Sequence, residues 1–285
     1  MSGWRSRLLL ALGEAVGSAA FWLGLRRRVA LDGLRRAFPE RSEAERRAIA
    51  RAAYRQLGRS LAELVAWRRL TASEVERLVR FVGWDRYQAA LAGGRGVVVA
   101  VAHFGNWELP ARAAANRGMS VTAITRTLRE PINEKLLALR REGGMRELPD
   151  KKSTDAALRL LRRGETLAVV IDQNMRPSRG IFVDFFGTQA CTTPAAAVFA
   201  LRTGAPLFLV YDLREPDGTH RVSFEGPFAL PSASGGQSAV HALTQELTRG
   251  VERMVRAHPD HWFWVHRRWK TRPGSEAILP ARDHP

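Results

Sequence analysis

The chain is poor in cysteine, in acidic charge and in uninterrupted apolar runs. Its one cysteine, Cys191, excludes an internal disulfide and argues against a cysteine-based metal site, which suits a reducing compartment. Cys191 itself reads as a small buried residue. The sequence has no Gly-rich phosphate loop, no metal-ligand spacing and no internal repeat, so nothing in it calls for a metal or another cofactor. Acidic residues are outnumbered, 28 against 45 Lys+Arg in 285 residues, leaving a formal charge of +17. Nearly all the positive charge is arginine, part of it the coding signature of a GC-rich genome. Such a surface favours anionic partners: phospholipid headgroups, phosphorylated glycolipids, acidic carrier proteins or nucleic acid. The most apolar early segment, Leu8–Leu25, is interrupted by Gly13-Glu14 and flanked by Arg5 and Arg7 before it and Arg26-Arg27-Arg28 after it. As a helix it would reach roughly 27 Å, barely the thickness of a bilayer core. It reads as a membrane-associated helix, interfacial or marginally spanning, with Trp22 near the headgroups. A cleaved signal peptide and an ordinary core helix are the alternatives.

What is present is organised around Val97-Val98-Val99-Ala100-Val101-Ala102-His103-Phe104-Gly105-Asn106-Trp107-Glu108. The apolar run has the residue types of a buried parallel strand. Gly105-Asn106 breaks it, and Trp107–Arg117 can begin a helix. His103 then lies at the C-terminal end of a strand, where open α/β sheets bind ligands. Glu108 falls in the first turn of the following helix, within reach of the same crevice. A neutral imidazole is a general base near pH 7. A carboxylate on its other ring nitrogen would fix the tautomer and stabilise the imidazolium, a role the spacing suggests for Glu108. No serine or cysteine nucleophile follows, and none is needed if the substrate supplies the hydroxyl. Backbone N–H groups near Gly105-Asn106 are the candidate oxyanion donors.

Along the rest of the chain, Leu31–Arg80 reads as helices without visible chemistry, broken at Phe38-Pro39. Ile49, Ala53, Leu57, Leu61, Leu64 and Val65 recur at helical spacing, and Ser42 and Thr71 sit at helix starts. From Tyr87 strands and helices alternate. Strands are predicted over 120–125, 145–148, 166–172 and 206–213, with 220–224 pairing across a Pro216-Asp217-Gly218 turn, and 182–186 reads as a short strand or loop. Helices are predicted over 131–141, 153–163, 193–203 and 237–257. The expected class is α/β, a mostly parallel or mixed central sheet flanked by helices. Four segments are expected: a membrane-associated helix (1–28), a helical appendage (29–86), an α/β domain (87–272) and a disordered tail (273–285). His261–Trp269 is aromatic and basic. A late strand with Trp262, Trp264 and Trp269 as core or membrane-interface anchors is one reading, and a stacking surface for single-stranded nucleic acid is another. His266 is a possible second active-site histidine.

His-Phe-Gly-Asn-Trp-Glu (103–108) resembles the His-x4-Glu/Asp motif of glycerolipid-type acyltransferases. Asp172-Gln173, then Gly180-Ile-Phe-Val-Asp-Phe-Phe-Gly187, Thr192-Thr193-Pro194 and the ending His261–Arg272, resemble blocks of the late (lauroyl or myristoyl type) lipid A biosynthesis acyltransferases, in the same order from about residue 30 to 273. The resemblance implies transfer of a fatty acyl chain from acyl carrier protein to a hydroxyl of a lipid A precursor, at the cytoplasmic face of the inner membrane. It implies His103 as base and Glu108 as its partner, with Arg126, Asp172, Gln173 and Asn106 on the substrate side, and no metal or cofactor. In two respects the chain departs from the pattern: Asn174 stands where an acidic residue is common, and the loop Met175-Arg176-Pro177-Ser178-Arg179 is unusual. The rivals are an acyltransferase for another glycolipid, such as a phosphatidylinositol mannoside, using acyl-CoA, and a basic nucleic-acid-binding protein.

Overall fold

A computed structural model describes residues 3–66, 70–125, 132–150, 153–232 and 235–274. Arg126, the start of the 131–141 helix, residues 275–285 of the expected tail and the side chains of Arg5 and Arg7 lie outside the described residues.

The centre is a seven-stranded sheet. In chain order its strands are β1 (Val79–Val82), β2 (Val97–Val101), β3 (Val121–Thr125), β4 (Met145–Pro149), β5 (Thr166–Val170), β8 (Leu207–Arg214) and β9 (His220–Glu225). Their order across the sheet is β1-β9-β8-β2-β5-β3-β4. The five strands from β8 to β4 are parallel. β9 turns back antiparallel on β8, and β1 follows β9 in parallel. The sheet is therefore mixed, as the strand–helix alternation predicts. β1 corrects the sequence reading, which continues a helix to Arg80 and starts the sheet only at Tyr87. The capping box of Thr71 and Glu74 starts helix α4 (Ala72–Leu78), and the chain then extends onto the sheet edge, crossing the expected 86/87 boundary.

β2 is buried on both faces because both are covered by helices. On one face Val97 and Val99 pack against α6 (Leu109–Asn116) and α5 (Trp84–Ala92). On the other, Val98 and Ala100 meet α8 (Thr154–Arg162), α9 (Ala195–Thr203) and α10 (Gly236–Ala257). The connection after β2 leaves over the first face through α6. The one after the adjacent β5 leaves over the second, through a hairpin and α9. Neighbouring strands whose connections diverge to opposite faces leave a crevice at their C-terminal ends. The residues that follow them are His103 and Asp172.

The hairpin pairs β6 (Ile181–Phe185) with β7 (Thr188–Thr192) through a turn at Phe186-Gly187, both with positive φ. β7 is absent from the sequence reading, since Thr188–Thr192 has no apolar alternation to mark it. The late strand is not formed either. Residues 259–269 run through a 3-10 turn and successive bends, with only a bridge from Trp262 to Phe104. Trp262, Trp264 and Trp269 are nonetheless buried, packed with Phe185 and Phe186.

The N-terminal helices are α1 (Gly3–Trp22), α2 (Arg27–Ala37), α3 (Glu43–Ala66) and, as above, α4. α1 lies along α3 so closely that a Cβ on Gly17 would stand 2.0 Å from the Tyr54 carbonyl oxygen, and one on Gly58 2.0 Å from that of Gly13. The face of α1 that carries Gly13 and Gly17 is thus its packing face. Leu8, Leu12, Val16 and Trp22 are exposed on α1, and Leu61 and Val65 on α3. The expected apolar stripe of α3 is therefore partly turned outward, while Ser60 and Glu63 face in. Among the described residues no single helix is long and apolar enough to cross a membrane; α1 from Leu8 and α2 together are, but with an 87° bend between them.

Candidate active site

His103 ends its strand facing the crevice, with its side chain 16% exposed. Its Nδ1 lies 2.8 Å from Asp172 Oδ1, and its backbone N–H donates to Asp172 Oδ2 at 2.9 Å. Trp262 Nε1–H donates to the same Oδ2 at 2.8 Å. A carboxylate only accepts, so Nδ1 carries the proton and Nε2 presents its lone pair. Burial opposes ionisation of Asp172, but the His103 ring and the hydrogen bonds from His103 and Trp262 outweigh it and hold the pKa below the usual carboxylate value. Gln173 Nε2 donates to His103 Nε2 at 3.2 Å, so the amide covers the lone pair that a substrate hydroxyl must reach. The rings of Trp107 and Phe263 flank the imidazole at 5.0 and 5.7 Å.

The partner of His103 is therefore Asp172, not Glu108. Glu108 points away and takes a bidentate hydrogen bond from Arg140 on α7 (Ile132–Glu142), at 2.6 and 2.9 Å. Arg140 also reaches Glu147 of β4 at 2.8 Å. Burial works against the Arg140 charge, but Glu108 and then Glu147 more than offset it and raise its pKa. Glu108 thus ties α6 to α7 and β4.

The expected oxyanion donors are also engaged elsewhere. Gly105 N–H donates to the His261 carbonyl at 2.8 Å and Asn106 N–H to Asp212 Oδ2 at 2.8 Å. Gly105 is in the left-handed region (φ 59°) with its Cα against the Asp212 backbone, so no side chain fits there. Asn106 is buried, its Nδ2 donating to Glu63 Oε2 at 2.7 Å; it builds the loop rather than facing the crevice. The N–H groups of Trp107 and Glu108, at the start of α6, have no acceptor among the described residues. The aromatic C-terminal segment closes the loop: Phe263 N–H donates to the His103 carbonyl at 3.1 Å, and Phe104 stacks on His261.

Sequence reasoning missed the buried ion cluster beneath this loop. Glu63 of α3 pairs with Arg214, reaches His220 Nε2 at 3.2 Å and holds Asn106. His220 Nδ1 lies 2.9 Å from Asp212 Oδ2. Arg214 Nη1 stands 3.1 Å from His220 Nε2, but with the imidazole protonated both are donors, and Glu63 between them holds the pair. Burial disfavours the charge on both ends of the Glu63–His220 pair. Hydrogen bonds from His220 and Arg214 nevertheless bring Glu63 down to about 2, and Asp212 and then Glu63 raise His220 to about 9. The raised histidine contributes stability that is complete below its unfolded pKa of 6.5 and is lost as pH rises through about 9. The contribution is on the order of 3 kcal/mol. Urea midpoints of the wild type are expected to fall between those two pH values, and that fall to be absent in His220→Gln, which is less stable throughout. A parallel fall in the variant would show that His220 is not the group responsible.

His266 is not a second base. Burial pushes its pKa down to about 4, and its Nε2 accepts the Asn174 N–H at 2.9 Å. Asn174 in turn exchanges hydrogen bonds with Thr271. Arg268, within the aromatic and basic segment, is buried, and burial lowers its pKa to about 10. It donates to the Cys191 carbonyl at 3.0 Å and to Thr192 Oγ1 at 2.5 Å, holding β7 behind the site. Cys191 is fully buried and burial raises its thiol pKa, so the thiol is inert. Among the described residues no group of His, Cys, Asp and Glu could hold a metal.

Beside the imidazole, an apolar cleft of about 690 Å³, mouth included, runs between α6 and the sheet. Its walls are small: Ala111 and Ala114 on the helix, Val99, Ala123 and Ala168 on the strands, with Trp107, Glu108 and Arg140 among the residues that line it. Small residues on both sides keep helix and sheet from filling the space between them.

Residues 5–271 match the bacterial lipid A biosynthesis acyltransferase family. The chain is 26% identical over 269 residues to a lipid A biosynthesis lauroyltransferase of Escherichia coli (strain K12), covering 93% of this chain and 86% of that one. It is 26% identical over 254 residues to the lipid A biosynthesis myristoyltransferase of the same organism, 88% and 77% of the two chains. A phosphatidylinositol mannoside acyltransferase of Mycobacterium tuberculosis (strain CDC 1551 / Oshkosh) is 27% identical over 206 residues, 70% and 62% of the two. With a family match across nearly the whole chain and an oriented histidine at a strand-end crevice, the protein is an acyltransferase and belongs to the bacterial lipid A biosynthesis acyltransferase family.

Proposed function

We propose that the protein moves a fatty acyl chain from acyl carrier protein to a hydroxyl of a lipid A precursor, with the His103–Asp172 pair as base. The observation that carries this reading is the imidazole itself, its Nδ1 held by a buried carboxylate and its Nε2 left as the acceptor, beside an apolar cleft. The acceptor hydroxyl displaces Gln173 from Nε2 and gives up its proton there as its oxygen attacks the thioester carbonyl. Asp172 stabilises the imidazolium. The tetrahedral intermediate collapses, the carrier thiolate leaves, and the imidazolium returns the proton to it. The unengaged N–H groups of Trp107 and Glu108 are the nearest candidates for the oxyanion. Arg126 keeps its suggested role near the acceptor's charged groups.

The cleft beside His103 suits an acyl chain. Ala168→Leu, inside it, is expected to shift the preferred donor to a chain shorter by about two methylene groups. Product masses from mixed donors check this; an unchanged length preference would remove the cleft from acyl recognition.

Contact with a membrane surface is supported by the apolar side chains exposed on α1 and α3, and the cytoplasmic face of the inner membrane follows only from the reading of acyl carrier protein as donor. Nucleic acid is disfavoured, because Trp262, Trp264 and Trp269 are buried and cannot stack on bases. The phosphatidylinositol mannoside acyltransferase among the relatives favours one second reading, another glycolipid acceptor with acyl-CoA. The test is a panel of acyl carrier protein and acyl-CoA donors against a tetra-acylated lipid A precursor and a phosphatidylinositol mannoside. A mass gain of one acyl chain on the lipid A precursor, with the carrier-protein donor preferred, is expected. Transfer only to the mannoside would overturn the acceptor assignment.

A further inference from the structure

Beside the active site lies an open basin of about 1410 Å³, lined by Arg26, Arg27 and Arg28 at the bend between α1 and α2, and by Asn174, His266, Arg267 and Lys270. Five of these side chains are cations, and no Asp or Glu lines the basin. Elsewhere several arginines have a carboxylate beside them: Arg35 by Glu43, Arg59 by Glu14, Arg140 by Glu108, Arg221 by Glu215. None of the five basin cations has a carboxylate partner among the described residues. Asn174 contributes a neutral amide already occupied by Thr271. Arg26 is one of two non-glycine residues with positive φ among the described residues, a conformation that normally carries a cost. Gathering five like charges around one hollow is unfavourable unless a polyanion fills it.

Two features narrow the anion. The basin adjoins the reaction centre: Asn174 directly follows Gln173, whose amide lies 3.2 Å from His103 Nε2. Its rim is also apolar, since Trp22, Leu23 and Leu25, beside Gly24 and Arg26, are 66%, 77% and 59% exposed. Phosphate-bearing chemistry next to exposed apolar side chains describes an amphiphile rather than a soluble polyanion.

We infer that this basin is the subsite for a phosphorylated headgroup of the lipid acceptor, holding the anion while the acceptor hydroxyl reaches His103. The inference rests on the reading of acyl transfer to a lipid acceptor. It assigns the N-terminal bend to substrate binding, so that α1 and α2 select the acceptor as well as packing on the domain.

The test compares the full chain with Arg267→Gln/Lys270→Gln, both exposed positions, and with Arg267→Lys, which keeps the charge. Transfer kinetics are measured with the phosphorylated acceptor and with the same lipid lacking its phosphates. Binding is measured by flotation with zwitterionic vesicles carrying either lipid. For the double variant, the KM for the phosphorylated acceptor is expected to rise about tenfold or more, the scale of lost charge-assisted hydrogen bonds. Its kcat and donor KM are expected to hold, and its penalty to vanish with the phosphate-free lipid. Arg267→Lys is expected to stay near wild type, and flotation of the double variant with phosphorylated vesicles to weaken in step. A rise in donor KM alone would make the basin a dock for the acidic carrier and overturn the inference. Unchanged kinetics and binding would overturn it too, as would displacement from vesicles by inorganic phosphate as effectively as by the lipid. If the wild type transfers nothing to either acceptor, the functional reading fails by itself. Flotation then still decides the basin: selective weakening on phosphorylated vesicles upholds it, and equal binding by wild type and variant removes it.

Discussion

Asp172→Asn is expected to lower the transfer rate about 10³–10⁴-fold, the scale found when the orienting carboxylate of a catalytic triad becomes an amide. The substituted oxygen can keep the bonds that Oδ2 receives from the His103 backbone and Trp262. The new NH2 group then faces His103 Nδ1, where Oδ1 now accepts. It can only donate there, so the ring proton moves to Nε2 and the base loses the lone pair it needs. The loop's hydrogen bonds survive, so the thermal midpoint is expected to stay close to wild type while the rate collapses. Glu108→Gln is the informative comparison. It weakens the pair with Arg140, which retains Glu147. The expected loss is under about tenfold, as for a partly screened ion pair. Initial rates of the three proteins at one pH check both statements. Equal losses from the two substitutions would return the orienting role to Glu108.

His103→Ala is expected to cost about 10²–10⁴-fold, the usual worth of a positioned base. Binding is expected to survive, because the apolar cleft and the basic basin do not depend on the imidazole. The loss should therefore fall on kcat, with both KM values within a few-fold of wild type. A KM effect with kcat preserved would make His103 a binding residue.

Strong local signals carried the fold a long way. The Val97–Val101 run, the capping residues Ser42 and Thr71, and the Pro216–Gly218 turn each determine their element with little help from tertiary structure. The same runs placed His103 and Asp172 at strand ends. Their pairing is less legible, because the two lie 69 residues apart and become neighbours only when β5 docks beside β2. Glu108, near in sequence, is drawn off by an arginine on another helix. The inward faces of α3 were also hidden. Apolar periodicity marks Leu61 and Val65, which are exposed, while Glu63 goes inside because Arg214 and His220, distant in sequence, meet it there. The aromatic C-terminal segment is buried, as its composition suggests. Its irregular path follows from its work, which is to supply backbone groups to the loop of Phe104 and Gly105 and an indole N–H to Asp172.

If His103 and Asp172 act as one base, their losses cannot multiply. The transfer rate of the His103→Ala/Asp172→Asn double variant, measured beside each single variant with saturating donor and acceptor, tests this directly. A rate within a few-fold of His103→Ala alone is expected. A rate lower by the product of the two single losses would show that Asp172 acts independently of the imidazole and would contradict the pair.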